Sequence, residues 1–427
     1  MSDIFKNEQM ENVPRIASLV NTGNSCYLNA ILSSMYGLSI LKVYFEQNRE
    51  RMYTVLIKRF VAIAKESSDD LREFHGLPQS IISKARCATN HDVFNKREIS
   101  AILSKTISYQ LIYLLESMWN SESLCIPSSF RRVFDTLRNS HFKGFEQNDA
   151  SDAMVTIFEQ IQRELVYCPR YSIVPPNKSV EFFIGLMTDL EKNINSENDP
   201  AVRESLIAEY NDMKESMPDE AETVKIFLKI ARFVESEHAF ILEMFTGFSS
   251  STTICPGCGY ANRTVVNFSQ LTIPVPNREC GTLNDCFDSF YGKEQLSDGN
   301  KIECSGCKQR VAATIERTIF HNPAILIVQL EGNHGIEFPL IDFDIKKYID
   351  RLNIRSCAYT YTLNSVVYHS GDDNAGHYYT KNARLESGEW YLHNDETITR
   401  ENTTDIINGN ARVLIYIRDD MLADASN

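Results

Sequence analysis

Acyl-transfer chemistry by a side chain needs a nucleophile, a base beside it and a group that orients the base. This 427-residue chain offers a candidate for each. The nucleophile candidate is Cys26, in the segment Asn21-Thr22-Gly23-Asn24-Ser25-Cys26-Tyr27-Leu28-Asn29-Ala30. A Gly-containing turn leads into apolar residues at three- and four-residue steps, Leu28, Ile31, Leu32, Met35 and Leu38, which predict a helix with Cys26 at its start. Unpaired N–H groups and the positive end of the helix dipole at that place favour a thiolate, lower the thiol pKa and can hold an oxyanion. The Asn21 amide, on the same turn, offers a second donor. A buried Cys acting as a small hydrophobe accounts for this segment taken alone about as well.

The base candidates come late. Tyr368-His369-Ser370-Gly371 ends a strand-like run, a polar turn follows, and His377 opens the next strand as Gly376-His377-Tyr378-Tyr379. A histidine there is held rigidly at a sheet edge. Downstream, Trp390-Tyr391-Leu392-His393-Asn394-Asp395 supplies an amide and a carboxylate that could fix an imidazole tautomer. His369 and His393 are rivals to His377, the first as a strand-end residue and the second as a packed or solvent-facing one, and spacing does not separate the three.

A second constellation is of another kind. Cys255-Pro256-Gly257-Cys258 and Cys304-Ser305-Gly306-Cys307 are two knuckles, each aiming two thiolates at one point. Together they make a tetrahedral four-sulfur zinc site with no position open to water, hence a structural metal and no catalytic cofactor. Two unlinked pairs, or disulfides, are the alternatives. Cys280 and Cys286, between the knuckles, are read as non-ligands.

The elements that must position these groups follow from the remaining pattern. Helical periodicity fills residues 52 to 165, as in Arg51 to Lys65 and Ala150 to Leu165. Residues from about Asp189 to Glu222 are rich in acid and poor in large apolar side chains, which reads as a solvated helical insertion or a loop, with a docking site as the functional alternative. From Phe245 onward β-branched runs predict strands at Val265 to Val275, Ile325 to Leu330, Tyr359 to His369, Trp390 to His393 and Val413 to Ile417. A helical first half and a strand-rich second half give an α+β class.

Charge and cysteine usage narrow the function. The formal net charge is −14, against a nucleic-acid surface and compatible with a cleft that attracts a basic partner. No apolar run approaches a membrane span and the start does not resemble a signal peptide, so the expected location is intracellular, cytoplasmic or nuclear. Eleven Cys, an odd number, fit a reducing compartment.

Taken together, these segments resemble the ubiquitin-specific protease family. Asn21 through Asn29 is similar to its N-x-G-x-x-C-Y-x-N box, Tyr368 through Tyr378 to its His box, and Trp390 through Asp395 to the W-Y-x-x-N/D-D that follows. Gln147-Asn148-Asp149-Ala150-Ser151-Asp152 resembles Q-Q-D-A-x-E, Phe245-Thr246-Gly247 the F-x-G lead-in to the first knuckle, and Leu271-Thr272-Ile273-Pro274 the strand that leaves the fingers. Pro323 to Leu330 resembles the palm strand, with Phe338-Pro339-Leu340 after it. The likeness runs from about Ile16 to Arg418. Asp152 stands where the family has Glu, and Gln329-Leu330-Glu331-Gly332 lacks the family's basic-aromatic ending.

The resemblance implies a papain-like hand of thumb, palm and fingers with a zinc ribbon in the fingers. Residues 1–15 would be a flexible lead, and 16–420 one catalytic domain: thumb about 16–188, acidic insertion about 189–222, fingers about 245–315, palm about 316–420. It implies a deubiquitinating cysteine protease that cuts the isopeptide or peptide bond after the C-terminal Gly of ubiquitin. Cys26 matches the nucleophile, His377 the base, Asn394 the orienting residue, Asn21 the oxyanion-hole amide and Asp395 an assisting acid. Asp149 and Asp152 match carboxylates that grip the Arg-rich ubiquitin tail, and Cys255, Cys258, Cys304 and Cys307 match the zinc ligands. The expected partners are ubiquitin and ubiquitinated proteins. A neutral Asn suits a Cys–His pair that is already an ion pair. The competing readings are a degenerate ubiquitin-binding module, a protease for another ubiquitin-like modifier, and a zinc-ribbon nucleic-acid binder, the last opposed by charge.

Overall fold

The computed structural model describes residues 16–66, 69–89, 92–121, 123–137, 142, 148–166, 178–236, 244–275, 281–332, 335–352, 357–371 and 376–424. The 1–15 segment, Gln147, Cys280 and the turn at 372–375 lie outside them.

The first half is helical. Cys26–Tyr36 forms the helix that opens on the candidate nucleophile, and Leu28, Ile31, Leu32 and Met35 are buried along it, as their spacing predicts. It stops at Tyr36, short of Leu38. Gly37 lies against the Asn382 side chain with no room for a Cβ. Asn382 Nδ2 donates to Ser33 O at 2.7 Å, so strand and helix meet closely here. A new 28-residue helix, Ser39–Glu66, then leaves at 78° to the first. Arg51 to Lys65 is thus the second half of a longer element. Ile107–Ser121, Ser128–Phe134 and Ala150–Leu165 complete the thumb.

The second half is a palm and fingers. The palm sheet has eight strands, seven of them in the order Thr397–Glu401, Glu389–Asn394, Gly376–Arg384, Thr360–Gly371, Ala411–Arg418, Ile325–Glu331 and Leu271–Pro274; Phe343–Asp344 adds to Thr360–Gly371. Its central strands are buried on both faces, which is why Ile325 to Val328 and Val413 to Ile417 are unbroken apolar runs. Ile325, Ile327, Val413, Ile415 and Ile417 face the thumb core. Leu326, Val328, Leu414 and Tyr416 fill a second core on the other side with Val366, Tyr368 and Trp390.

The fingers sheet runs Ala261–Phe268, Gly247–Ile254, Thr314–His321 and Glu294–Gln295. The stretch from Val265 to Val275, expected as one strand, is two: it breaks at Ser269 and Gln270, where the chain passes from the fingers to the palm edge.

The acidic segment is helical. Lys178–Ser196, Pro200–Ser216 and Pro218–Ser236 follow one another, and the first runs through residue 189, where the insertion was expected to begin. Val180, Phe183 and Met187 of the first meet Val224 of the third in a small core. The third helix also lays Ile226 on Phe248, Val265 and Phe320 of the fingers, and Lys229 Nζ donates to Val265 O. Among the described residues no single helix is long and apolar enough to cross a membrane.

Candidate active site

The loop before the Cys26–Tyr36 helix is built around one amide. Asn21 Oδ1 accepts from Gly23 N at 3.0 Å, Ser25 N at 3.3 Å and Ser25 Oγ at 3.2 Å. This forces the chain through two left-handed residues, Gly23 (φ 98°) and Asn24 (φ 44°), conformations that Gly and Asn tolerate best. Arg131, buried on the Ser128–Phe134 helix, holds the turn from outside through Gly23 O at 2.8 Å and Thr22 Oγ1 at 3.4 Å. Cys26 then opens the helix, with no side-chain cap and no acidic residue in the first turn. The first N–H groups are left for another acceptor.

The palm brings the other groups. His377 Nε2 lies 2.6 Å from Asn394 Oδ1. An amide oxygen only accepts, so the ring proton sits on Nε2 and the lone pair on Nδ1. Register makes the pair: Thr380 lies opposite His393, which puts Asn394, at the strand's end, on the sheet face that carries His377. Asp395 follows with φ 50° in the tight turn before Thr397–Glu401. Its Oδ2 accepts from Asn21 Nδ2 and its Oδ1 from Asn29 Nδ2, both at 2.8 Å, and its carbonyl accepts Leu19 N at 3.2 Å. Glu396 Oε1 takes Asn21 N at 2.7 Å. One hairpin turn therefore clamps the loop before Cys26 to the palm.

The rival histidines separate. His369 is paired across the sheet with Tyr378, ring centroids 4.4 Å apart, and fills the space where a side chain at residue 376 would go, so Gly is required there. His393 is 4% exposed and sits edge-on to Tyr36. Burial, then the Arg384 charge, lowers its pKa to about 4, so it is neutral at physiological pH.

The thiol corrects one expectation. Cys26 is 5% exposed, and burial raises its pKa above the ordinary cysteine value. The backbone N–H of Tyr378 pulls the other way, as do those of Tyr27 and Cys26 itself, while the Asp395 charge adds to the rise. The helix start favours the thiolate as expected, but desolvation against the palm outweighs it.

Asp149 caps the Ala150–Leu165 helix, taking Asp152 N on Oδ1 at 3.2 Å, and accepts Tyr378 OH on Oδ2 at 3.0 Å. It and Asp152 are exposed at the rim where thumb meets palm. Tyr378, Asn29, Ser25, Glu396 and Arg131 all shape the site without having been assigned a role from sequence. Tyr378 and Asn29 lie inside the matched motifs; nothing local marks Arg131, which is 105 residues from Cys26.

The four knuckle cysteines converge at the fingertip, their sulfurs all within 4.8 Å of one another. Cys255 and Cys307 are 3.9 Å apart and Cys258 and Cys304 3.7 Å. The knuckles are built alike: Cys255 N donates to Tyr260 O and Gly259 N to Cys255 O, as Cys304 N does to Gln309 O and Lys308 N to Cys304 O. The left-handed residue falls at the same place in each, Gly259 (φ 73°) and Lys308 (φ 58°). Cys286 is instead buried in the palm core.

Comparison with known proteins agrees with this geometry. The family model described as ubiquitin carboxyl-terminal hydrolase matches residues 17–416. The probable ubiquitin carboxyl-terminal hydrolase R319 of Acanthamoeba polyphaga mimivirus is 27% identical, over 96% of this chain and 92% of that protein. Human ubiquitin carboxyl-terminal hydrolase 21 is 25% identical over 71% of this chain and 52% of its own length. The structure of the SAGA Ubp8/Sgf11/Sus1/Sgf73 DUB module bound to ubiquitin aldehyde aligns with a TM-score of 0.57 at 18% identity, covering 96% of this chain and 70% of that one, which establishes the shared fold. With that match running through nearly every described element, the chain belongs to the ubiquitin carboxyl-terminal hydrolases and is a thiol-dependent deubiquitinating protease.

Proposed function

We propose that Cys26 is the nucleophile, His377 the general base and Asn394 the residue that orients it, acting on the carbonyl of the C-terminal Gly of ubiquitin. The observation that carries the assignment is the 2.6 Å contact of His377 Nε2 with Asn394 Oδ1, which leaves Nδ1 as the basic atom. Because burial disfavours the thiolate, the thiol proton passes to His377 Nδ1 as sulfur attacks. The tetrahedral oxyanion is held by the backbone N–H of Cys26 and by the Asn21 Nδ2 hydrogen that Asp395 does not use. His377 then protonates the leaving amine, the C–N bond breaks, and a thioester remains. Water, giving its proton to His377, attacks the thioester; the ubiquitin carboxylate leaves and the proton returns to sulfur. Asp395 assists by aiming Asn21 and Asn29.

The partners are ubiquitin and ubiquitinated proteins, with Asp149 and Asp152 receiving the Arg-rich tail. Their exposure beside Tyr378 supports this, and Asp149 reaches the tail already aligned by Tyr378 OH. The fingertip cysteines hold a structural zinc. A tetrahedron with Zn–S of about 2.3 Å has edges of about 3.8 Å, close to the 3.7 and 3.9 Å between sulfurs here.

The test is a ubiquitin probe with a C-terminal thiol-reactive group, on wild type and Cys26→Ala. A covalent adduct with wild type alone is expected. No adduct from folded wild type, or reaction only with another modifier's probe, defeats the assignment.

A further inference from the structure

Serine before a helix ordinarily turns its oxygen forward to cap the first N–H groups. Ser25 does not. It is 0% exposed and makes no forward cap. Its hydroxyl faces backward, accepting Thr22 N at 3.0 Å and donating to Asn21 Oδ1 at 3.2 Å. Two effects follow from one side chain. The N–H groups at the start of the Cys26 helix stay uncapped by a side chain and so open to an oxyanion. The Asn21 amide acquires a single orientation, because the atom facing Gly23 N, Ser25 N and Ser25 Oγ meets three donors and must be oxygen. Nδ2 is thereby turned outward to Asp395 Oδ2.

We propose that Ser25 is a positioning residue of the oxyanion hole, acting through Asn21 and having no contact of its own with substrate. The inference rests on the reading of Asn21 as an oxyanion donor. Losing the hydroxyl leaves two backbone donors on Asn21 Oδ1 and the Arg131 hold on Gly23 O, so the loop persists while the amide is less strongly fixed.

The experiment is a double-mutant cycle on the full chain: wild type, Ser25→Ala, Asn21→Ala and the double variant, with ubiquitin carrying a fluorogenic C-terminal amide as substrate. Asn21→Ala is expected to lower kcat about a hundredfold. Ser25→Ala should lower it about tenfold, the worth of one neutral hydrogen bond, with KM unmoved. The double variant should be no slower than Asn21→Ala, since Ser25 acts only through that amide. Ser25→Thr, which keeps the hydroxyl, should recover most of the rate. Iodoacetamide alkylation of Cys26 should be the same in wild type and Ser25→Ala. Multiplying effects in the double variant, altered alkylation, or Ser25→Ala at wild-type rate overturns the inference. An unchanged kcat in Asn21→Ala overturns instead the oxyanion role of Asn21 beneath it.

Discussion

Replacing His393 by Phe tests whether the palm core keeps that imidazole from protons. Burial, with the Arg384 charge behind it, lowers the His393 pKa from 6.5 to about 4. The unfolded chain therefore binds a proton there at a pH where the folded chain does not. Stability from this group is fully present above pH 6.5 and is lost as pH falls through 4. The drop from 6.5 to about 4 amounts to roughly 3 kcal/mol in full. On the order of 1 kcal/mol of it is gone at pH 5.5, and the greater part by pH 4.5. His393→Phe removes the titration and keeps a ring beside Tyr36, and the adjoining cavity of about 270 Å³ accommodates the larger side chain. Urea unfolding followed by tryptophan fluorescence, at pH 7.5, 5.5 and 4.5, gives both curves. The gap between wild type and variant should shift in the variant's favour by roughly 2 to 3 kcal/mol from pH 7.5 to 4.5. The variant should also hydrolyse a ubiquitin amide at neutral pH, because the proposed base is His377. Parallel curves would show that native His393 takes up protons freely, and the burial argument separating it from His377 would fail.

Asn394→Ala should lower kcat at least tenfold with little change in KM, and Asn394→Asp, which keeps an accepting oxygen 2.6 Å from His377, should retain most activity; equal losses in both would contradict an orienting role. Cys26 alkylation by iodoacetamide, followed against pH, should rise with a midpoint above that of an ordinary cysteine, whereas a plateau already reached at pH 6 would mean a preformed ion pair. Cys304→Ser should release bound zinc, measured by elemental analysis, and lower the melting temperature, while Cys286→Ser leaves the zinc content unchanged.

The chemistry-bearing segments are legible because their constraints are local. A positive-φ turn needs Gly or Asn at residues 23 and 24, and a knuckle needs two sulfurs three positions apart. The core strands are legible for a different reason: a strand buried on both faces has no polar alternation, as Ile325 to Val328 shows. What is not legible depends on parts distant in sequence. Residue 37 must be Gly because Asn382, more than 340 residues later, lies against it. The thiol pKa reverses its expected direction because packing of thumb against palm desolvates it, a cost invisible at the helix start. Asp395 is identified as an acid by its motif, but only the fold shows that it serves two amides at once.

The clamp between Asn21 and Asp395 also bears on how the protein is made. The two residues are 374 positions apart, so the loop carrying the thiol leaves the ribosome long before the turn that fastens it. At a synthesis rate of about 5–20 residues per second, that interval is roughly 20 to 75 s. Throughout it Cys26 lacks the palm residues proposed to act with it. The proposed set is complete only when the last palm strands, ending with Ala411–Arg418 in the middle of the sheet, are in place.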